Sequence, residues 1–420
     1  MAVFKQLYSL LQFNEFAGTL RVNVNSRFCT SLASAPITNT FKYADISVRL
    51  ASPERLQPKP DVKALQFGKH FTDHMLKIEY HERAGGWQTP IICPLEYLSL
   101  HPAAKVLHYA IEYLSLHPAA KVLHYAIELF EGMKAYRGRD GRIRIFRPDL
   151  NMARMNQSAL RSGLPQFDAQ ELIRCLCRLI SIDQEWVPHS EAASLYIRPT
   201  LIGTEPALGV SVTESALLYV ILCPVGPYFG TSFKPVSLLA DPRFIRAWPG
   251  GVGDKKMGSN YAPTVHVHRE ALSKGLQQVL WLYGDDNQVT EAGTMNLFVV
   301  ILNSNGEREL ITPPLNGLIL PGITRLSILQ LSREWNDYKV SERTITMGEL
   351  ISLLKEARLL EVFGAGTACV VSPVHVIYFK ETAYEIPTMI QSDPIYKRLL
   401  DTLTNIQYGI VDHPWARLID

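Results

Sequence analysis

Along the chain, short runs rich in β-branched and aromatic residues alternate with stretches whose apolar positions recur every three or four residues. Lys63–Tyr80, Ser194–Ile202, Ala216–Cys223 and Val236–Ala240 read as strands. Two more strands pair across the turn residues Gly284–Asn287. Asp149 predicts the cap of a helix through Leu150–Arg161 that stops at Gly163, and Asp168 caps a longer one through Ile180. Val106–Gly132 is mostly apolar and reads as helix, a Gly-rich loop and helix follow at Pro249–Ser273, and Ile323–Trp335 is helical before a last α/β segment ending near Val376. The densest Pro/Gly cluster, Pro224–Gly230, marks a boundary. Strands and helices intermixed twice, with a breaker between, predict a two-domain α/β (α+β) protein, with a small domain over 45–223, a connecting loop over 224–235 and a larger domain over 236–420.

One segment breaks the pattern. Residues 96–111 read EYLSLHPAAKVLHYAI, and residues 112–127 repeat that string without a difference. Two copies are too few for a solenoid. They cannot both extend one helix either: sixteen residues rotate the register by about 160°, and Pro118 removes an interior helical hydrogen bond. One copy is therefore supernumerary. The copy contiguous with Glu128–Gly132 is expected in the native place, with the first bulging outward.

Composition narrows the class. The 420 residues carry 42 Lys+Arg against 40 Asp+Glu, with 47% hydrophobic residues. That composition excludes a disordered or fibrous chain, and the near balance of charge gives no reason to expect nucleic acid as a partner. The longest apolar runs, Leu217–Cys223 and Leu297–Leu302, fall far short of the roughly 20 residues that span a bilayer. Charge is nonetheless uneven. Residues 1–44 hold Lys5, Arg21, Arg27 and Lys42 against Glu15 alone, the texture of a mitochondrial transit peptide, whereas a cytoplasmic protein with an N-terminal tail is the alternative. The six cysteines show neither a disulfide framework nor metal-ligand spacing, which fits a reducing compartment.

Three segments can carry chemistry. Gly250–Tyr261 places Lys255 and Lys256 in a Gly-rich loop before a helix, where backbone can approach a ligand and a lysine among apolar groups can become a nucleophile. Val289–Phe298 puts Glu291 at the end of an apolar strand, where a buried carboxylate needs a partner. Leu320–Arg325 and Gly364–Ala368 each present backbone N–H groups beside a threonine, a pattern suited to phosphate.

Together with FTDHM at Phe71–Met75, LFEGMKAYRG at Leu129–Gly138 and LYIRPTLIGTEPALGV at Leu195–Val210, these segments resemble the branched-chain amino acid aminotransferases of the fold type IV pyridoxal-phosphate class. The similarity runs from about Asp45 to about Pro414, and the family carries the repeated segment once. It implies the two-domain fold type IV architecture and pyridoxal 5'-phosphate held as an aldimine on Lys256, which the following Met257-Gly258 selects over Lys255. It further implies Glu291 at the ring nitrogen, Tyr261 at the ring oxygen, and phosphate bound by Arg154, the Ile323 and Thr324 backbone and Thr367.

For the substrate, the resemblance implies Tyr196, Arg198, Thr294 and Ala368 near the carboxylate and Phe67, Tyr125 and Phe130 around the side chain. Leu208 and Val210 would close the pocket of the neighbouring subunit, hence a homodimer. The implied reaction moves the amino group of leucine, isoleucine or valine to 2-oxoglutarate. Alternatives are a D-amino acid transaminase or an aminodeoxychorismate lyase-like enzyme, against which Tyr196-Ile-Arg198 argues, and an inactive protein if the duplicated segment obstructs the pocket. Where relatives carry a redox-sensitive C-x-x-C, this chain has Cys369 and Ser372, so no disulfide switch is expected there.

Overall fold

The computed structural model describes residue 37 and residues 39–98, 128–205, 212–226 and 235–419. Two sheets organise them. In the first, the strands run in the order Ser47–Val48, Ile91–Pro94, His74–His81, Ser215–Val225, Ser194–Gly203, Met133–Arg137, Ile143–Phe146 and Ala416–Leu418. Glu128–Phe130 also pairs with Ser194–Gly203. The two long central strands are apolar and buried almost throughout because both faces of this sheet are covered.

Helices Pro148–Ser162 and Ala169–Ile182 cover one face. Asp168 caps the second, accepting the Gln170 and Glu171 N–H groups, and Gly163 ends the first in the left-handed conformation that glycine adopts without strain. Their stripe of Met152, Met155, Leu172, Leu176 and Leu179 meets Leu76, Ile145, Leu195 and Leu218 of the strands. Alternate residues of the same strands, Met75, Ile202, Leu217, Tyr219 and Ile221, form a second apolar layer on the other face with Cys93 and Leu98.

In the second sheet Val236–Ala240, Gln278–Tyr283, Gln288–Ala292, Met295–Leu302, Leu359–Gly366 and Val370–Phe379 pair in a closed circuit, because Gln288–Ala292 bonds to both Gln278–Tyr283 and Met295–Leu302. Closure removes the sheet edges on these six strands. The interior is filled by Leu238, Leu280, Val289, Leu297, Val299, Val362 and Val374. Helices Ile323–Trp335 and Ile395–Gln407 pack outside, and their cluster joins Phe298 and Phe363 to Tyr136 and Phe146 of the first sheet.

Several boundaries differ from the sequence reading. Glu128–Phe130 is a strand where apolar content predicted helix over Val106–Gly132, since its hydrogen-bond partners lie far downstream, at Thr200–Ile202 of Ser194–Gly203. The last α/β segment does not end near Val376 but continues through Ile395–Gln407 to Ala416–Leu418, which returns to the first sheet beside Ile143–Phe146. Of the duplicated segment only Glu96–Leu98 belong to the described residues. There the Lys77 ammonium donates to the Glu96 carboxylate and Leu98 is buried in the second apolar layer, while the outward bulge expected of the first copy lies outside the described residues. Residues 99–127, with Tyr109 and Tyr125, lie outside the described residues, as do Leu208, Val210 and residues 1–36.

Candidate active site

The lysine loop is tied to the first sheet from several sides. The Phe130 N–H donates to the Lys256 carbonyl at 3.1 Å, Leu129 bridges Met257, and the Lys256 N–H donates to Ser158 Oγ at 3.0 Å. Asn260 closes the loop on itself by donating to the Val252 and Lys255 carbonyls, both at 2.8 Å. This framework separates the two lysines. Lys255 pairs with Asp254 at 2.5 Å, whereas Lys256 Nζ reaches into a cleft, 3.3 Å from the Tyr261 hydroxyl and 4.9 Å from the centre of the Phe130 ring.

The cleft has a volume of about 180 Å³ between the two sheets. Phe67, Phe130, Tyr196 and Arg198 come from the first-sheet side, and Thr294, Asn296, Gly322–Thr324 and Gly366–Cys369 from the second. Phe67 packs edge-on against Tyr196 with ring centres 4.8 Å apart, and the Arg198 guanidinium lies 4.6 Å over Phe130 and donates to the Tyr196 hydroxyl at 3.1 Å. Gly132 is required here, since a Cβ would fall 2.0 Å from the Tyr196 hydroxyl oxygen. A wider groove of about 830 Å³ lies along Ala51–Pro60, Lys69–Asp73 and Trp186, but its buried carboxylate Asp73 is already engaged by Gln57, Lys59 and Trp186.

At one end of the cleft, helix Ile323–Trp335 begins after Gly322 with no side chain capping it. Its first N–H groups thus form an anion site, with the positive end of the helix dipole behind them. Gly322 fits because it has no side chain: a Cβ would lie 1.9 Å from Asn296 Oδ1. Arg154 stands beside this helix start and donates to the Pro321 carbonyl at 3.0 Å. A buried carboxylate absent from the sequence reading, Glu131, grips the same guanidinium through Nε at 2.7 Å and Nη2 at 2.8 Å. Burial alone would raise the Glu131 carboxyl, but Arg154, Lys256 and Asn151 overcome it and hold the group below the usual glutamate range.

Glu291 is buried behind the cleft wall. Its carboxylate accepts the Leu320 N–H at 3.2 Å and faces Arg246 Nε at 2.9 Å, a second partner that sequence reasoning missed. Burial pushes its carboxyl up, against the lowering effect of Arg246 and the Leu320 N–H. Arg246 also donates to the Gly253 and Leu318 carbonyls, joining the lysine loop to the wall that carries Glu291.

The structure therefore brings Phe67, Phe130, Arg154, Tyr196, Arg198, Lys256, Tyr261, Thr294, Ile323, Thr324, Thr367 and Ala368 to one cleft, with Glu291 one layer behind. The profile of the amino-transferase class IV family matches residues 128–377. The chain belongs to the class IV amino-transferases. Among curated relatives of this aminotransferase, the cytosolic branched-chain-amino-acid aminotransferase of Mus musculus is 52% identical over 390 residues, covering 93% of this chain and 96% of that one. The mitochondrial enzyme of the same organism is 51% identical over 380 residues, covering 90% and 92%. The solved branched-chain aminotransferase of Thermoproteus uzoniensis, at 22% identity, shares the fold with a TM-score of 0.63 over 83% of this chain and all of that one.

Class IV aminotransferases use pyridoxal 5'-phosphate, and the donor set of this one fits it. An uncapped helix start beside Arg154 and Thr367 suits a phosphate monoester, and a lysine amine projects toward the same space.

Proposed function

We propose that this aminotransferase moves the amino group of leucine, isoleucine or valine to 2-oxoglutarate, giving a branched 2-oxo acid and glutamate. The observation that carries the reading is the Lys256 amine in a cleft with an aromatic, apolar wall on one side and an anion site on the other. When bound, pyridoxal phosphate supplies the carbonyl that takes up the amino group and a ring that withdraws electrons from the substrate Cα.

The chain's own residues do the rest. Arg154, the Ile323 and Thr324 N–H groups and the Thr367 hydroxyl would hold the phosphate, and Tyr261 the ring oxygen. Glu291, kept in place by Leu320 and Arg246, would serve the ring nitrogen. Lys256 moves the proton at the substrate Cα, with its amine kept near that atom by the anchored loop backbone. Tyr196, Arg198, Thr294 and Ala368 receive the substrate carboxylate. Phe67 and Phe130 enclose a branched side chain and exclude water. The resemblance assigns Tyr125 to the side-chain wall, and Leu208 and Val210 to the pocket of a second copy in a homodimer.

Curated relatives include cytosolic and mitochondrial forms. The basic, acid-poor residues 1–44 favour the mitochondrial matrix for this chain. A fusion of those residues to a fluorescent protein that stays in the cytosol would refute that address. Activity is tested by incubating the purified holoenzyme with 2-oxoglutarate and each L- or D-amino acid. Glutamate formation from L-leucine, L-isoleucine and L-valine is expected, whereas turnover of D-amino acids alone would place the enzyme elsewhere in its class.

A further inference from the structure

Lys134 lies on strand Met133–Arg137, opposite Tyr196 of the neighbouring strand. Its neighbours Met133 and Ala135 enter the helix-covered core, so the alternation of the strand sends Lys134 to the other face, toward the second sheet. There its ammonium donates to the Ala368 carbonyl at 2.7 Å, while only 6% of the residue is exposed. No carboxylate lies within ion-pair distance of it among the described residues. A buried ammonium held by one carbonyl is expensive, and a fold that retains one has a use for it. Burial draws Lys134 down to about 8, and the nearby Cys369 thiol is the group that opposes this.

The carbonyl it holds belongs to the Thr367–Cys369 turn, three residues that all line the cleft. That turn is not relaxed. Val370, at its exit, sits at φ 62°, a left-handed conformation that is strained for a β-branched residue. An external clamp therefore helps to keep the turn against the cleft. Because C=O and N–H of a trans peptide point in opposite directions, fixing the Ala368 carbonyl also fixes the Cys369 N–H.

We propose that Lys134 is a positioning residue for the substrate carboxylate: it clamps the Thr367–Cys369 turn through the Ala368 carbonyl and places a buried positive charge behind it. The inference rests on the transaminase reading above, because it assigns the turn to carboxylate recognition. Binding of an anionic substrate supplies the charge that balances the ammonium.

The test uses the full-length holoenzyme with Lys134→Met, which keeps an unbranched side chain one atom shorter and removes its charge, and Lys134→Arg, which keeps the charge. In Lys134→Met the KM for L-leucine and the Kd of 4-methylvalerate, an unreactive carboxylate, should both rise about tenfold to a hundredfold, the worth of a hydrogen bond involving a charged group. The kcat and the retention of pyridoxal phosphate should change little. Inhibition by 3-methylbutylamine, which has the side chain and amine but no carboxylate, should be unaltered, and Lys134→Arg should recover most of the affinity for acids. Equal weakening of acid and amine, or an unchanged KM, would overturn the proposal. Removing an unpaired buried charge is not expected to impair folding, and if Lys134→Met does not fold, Lys134→Gln carries the same comparison. A wild-type protein inactive with leucine would refute the transaminase reading, whereas an active wild type with an unchanged variant KM would refute this inference alone.

Discussion

Replacing Glu131 by Gln separates the structural and ligand-binding duties of Arg154. In the native protein the Glu131 carboxylate accepts two bonds from the guanidinium, a third from Asn151 and a fourth from the Gly132 N–H, all buried. Three of the five guanidinium N–H groups are occupied once the Pro321 carbonyl is counted, which leaves two for a phosphate. Glu131→Gln keeps the volume and one acceptor but leaves the Arg154 charge uncompensated, and breaking a buried pair in this way costs about 3–5 kcal/mol. The retained acceptor puts the expected loss near the lower end of that range. The assay is denaturant unfolding of apo and cofactor-loaded protein. The apo midpoint should fall sharply, and pyridoxal phosphate should stabilise the variant more than the wild type, because its phosphate restores a counter-charge beside Arg154. Acid should act in the same direction on the wild type: a carboxyl held below its unfolded value stabilises above that value, and the contribution is lost as pH falls through the folded pKa. An unchanged apo midpoint, or equal stabilisation of both proteins by the cofactor, would refute the reasoning.

Other expectations follow from the same geometry. Lys256→Ala should abolish transamination and the visible absorbance of the lysine-bound cofactor while leaving the melting profile of the apoprotein near that of the wild type. Gly322→Ala brings a methyl group to within 1.9 Å of Asn296 Oδ1, so the helix start must shift; cofactor titration should show weaker binding, and unaltered affinity would contradict the anion-site assignment. Deleting residues 96–111 restores a single copy of the repeat and should preserve or raise specific activity; a deletion protein that does not fold would show the duplication to be integrated.

What could be read from the sequence was local. The cap at Asp168, the stop at Gly163 and the helix at Ile323–Trp335 follow from side chains within a few residues of one another. The choice of Lys256 over Lys255 came from resemblance, and the geometry adds a physical reason, because Lys255 is occupied by its neighbour Asp254. The misread stretch was Glu128–Gly132. Its apolar content suits helix and strand equally, and only the distant Ser194–Gly203 decides between them. Glu131 and Arg246 were missed for a related reason. Each is an ordinary charged residue in its own segment, and each acquires meaning from a partner 23 or 45 residues away.

Those partners also explain how the cleft treats charge. Glu131 is bonded to Arg154 and Glu291 faces Arg246, so each of these buried carboxylates has a guanidinium of its own. Neither carboxylate is within ion-pair distance of the Lys256 or Lys134 ammonium, although Lys256 still lowers the pKa of both. One ammonium is at the cleft surface and the other behind the turn that bounds it. Either glutamate, moved within reach of Lys256, would pair with its ammonium in advance and weaken its attraction for an anion. By engaging the carboxylates, the guanidiniums keep both of them off Lys256, the lysine that their charges reach. It follows that Arg246→Met should do more than destabilise the Glu291 wall. With Glu291 freed to turn toward Lys256, affinity for anionic ligands should fall even in molecules that fold normally, and an unchanged affinity would show that the carboxylate stays where Leu320 holds it.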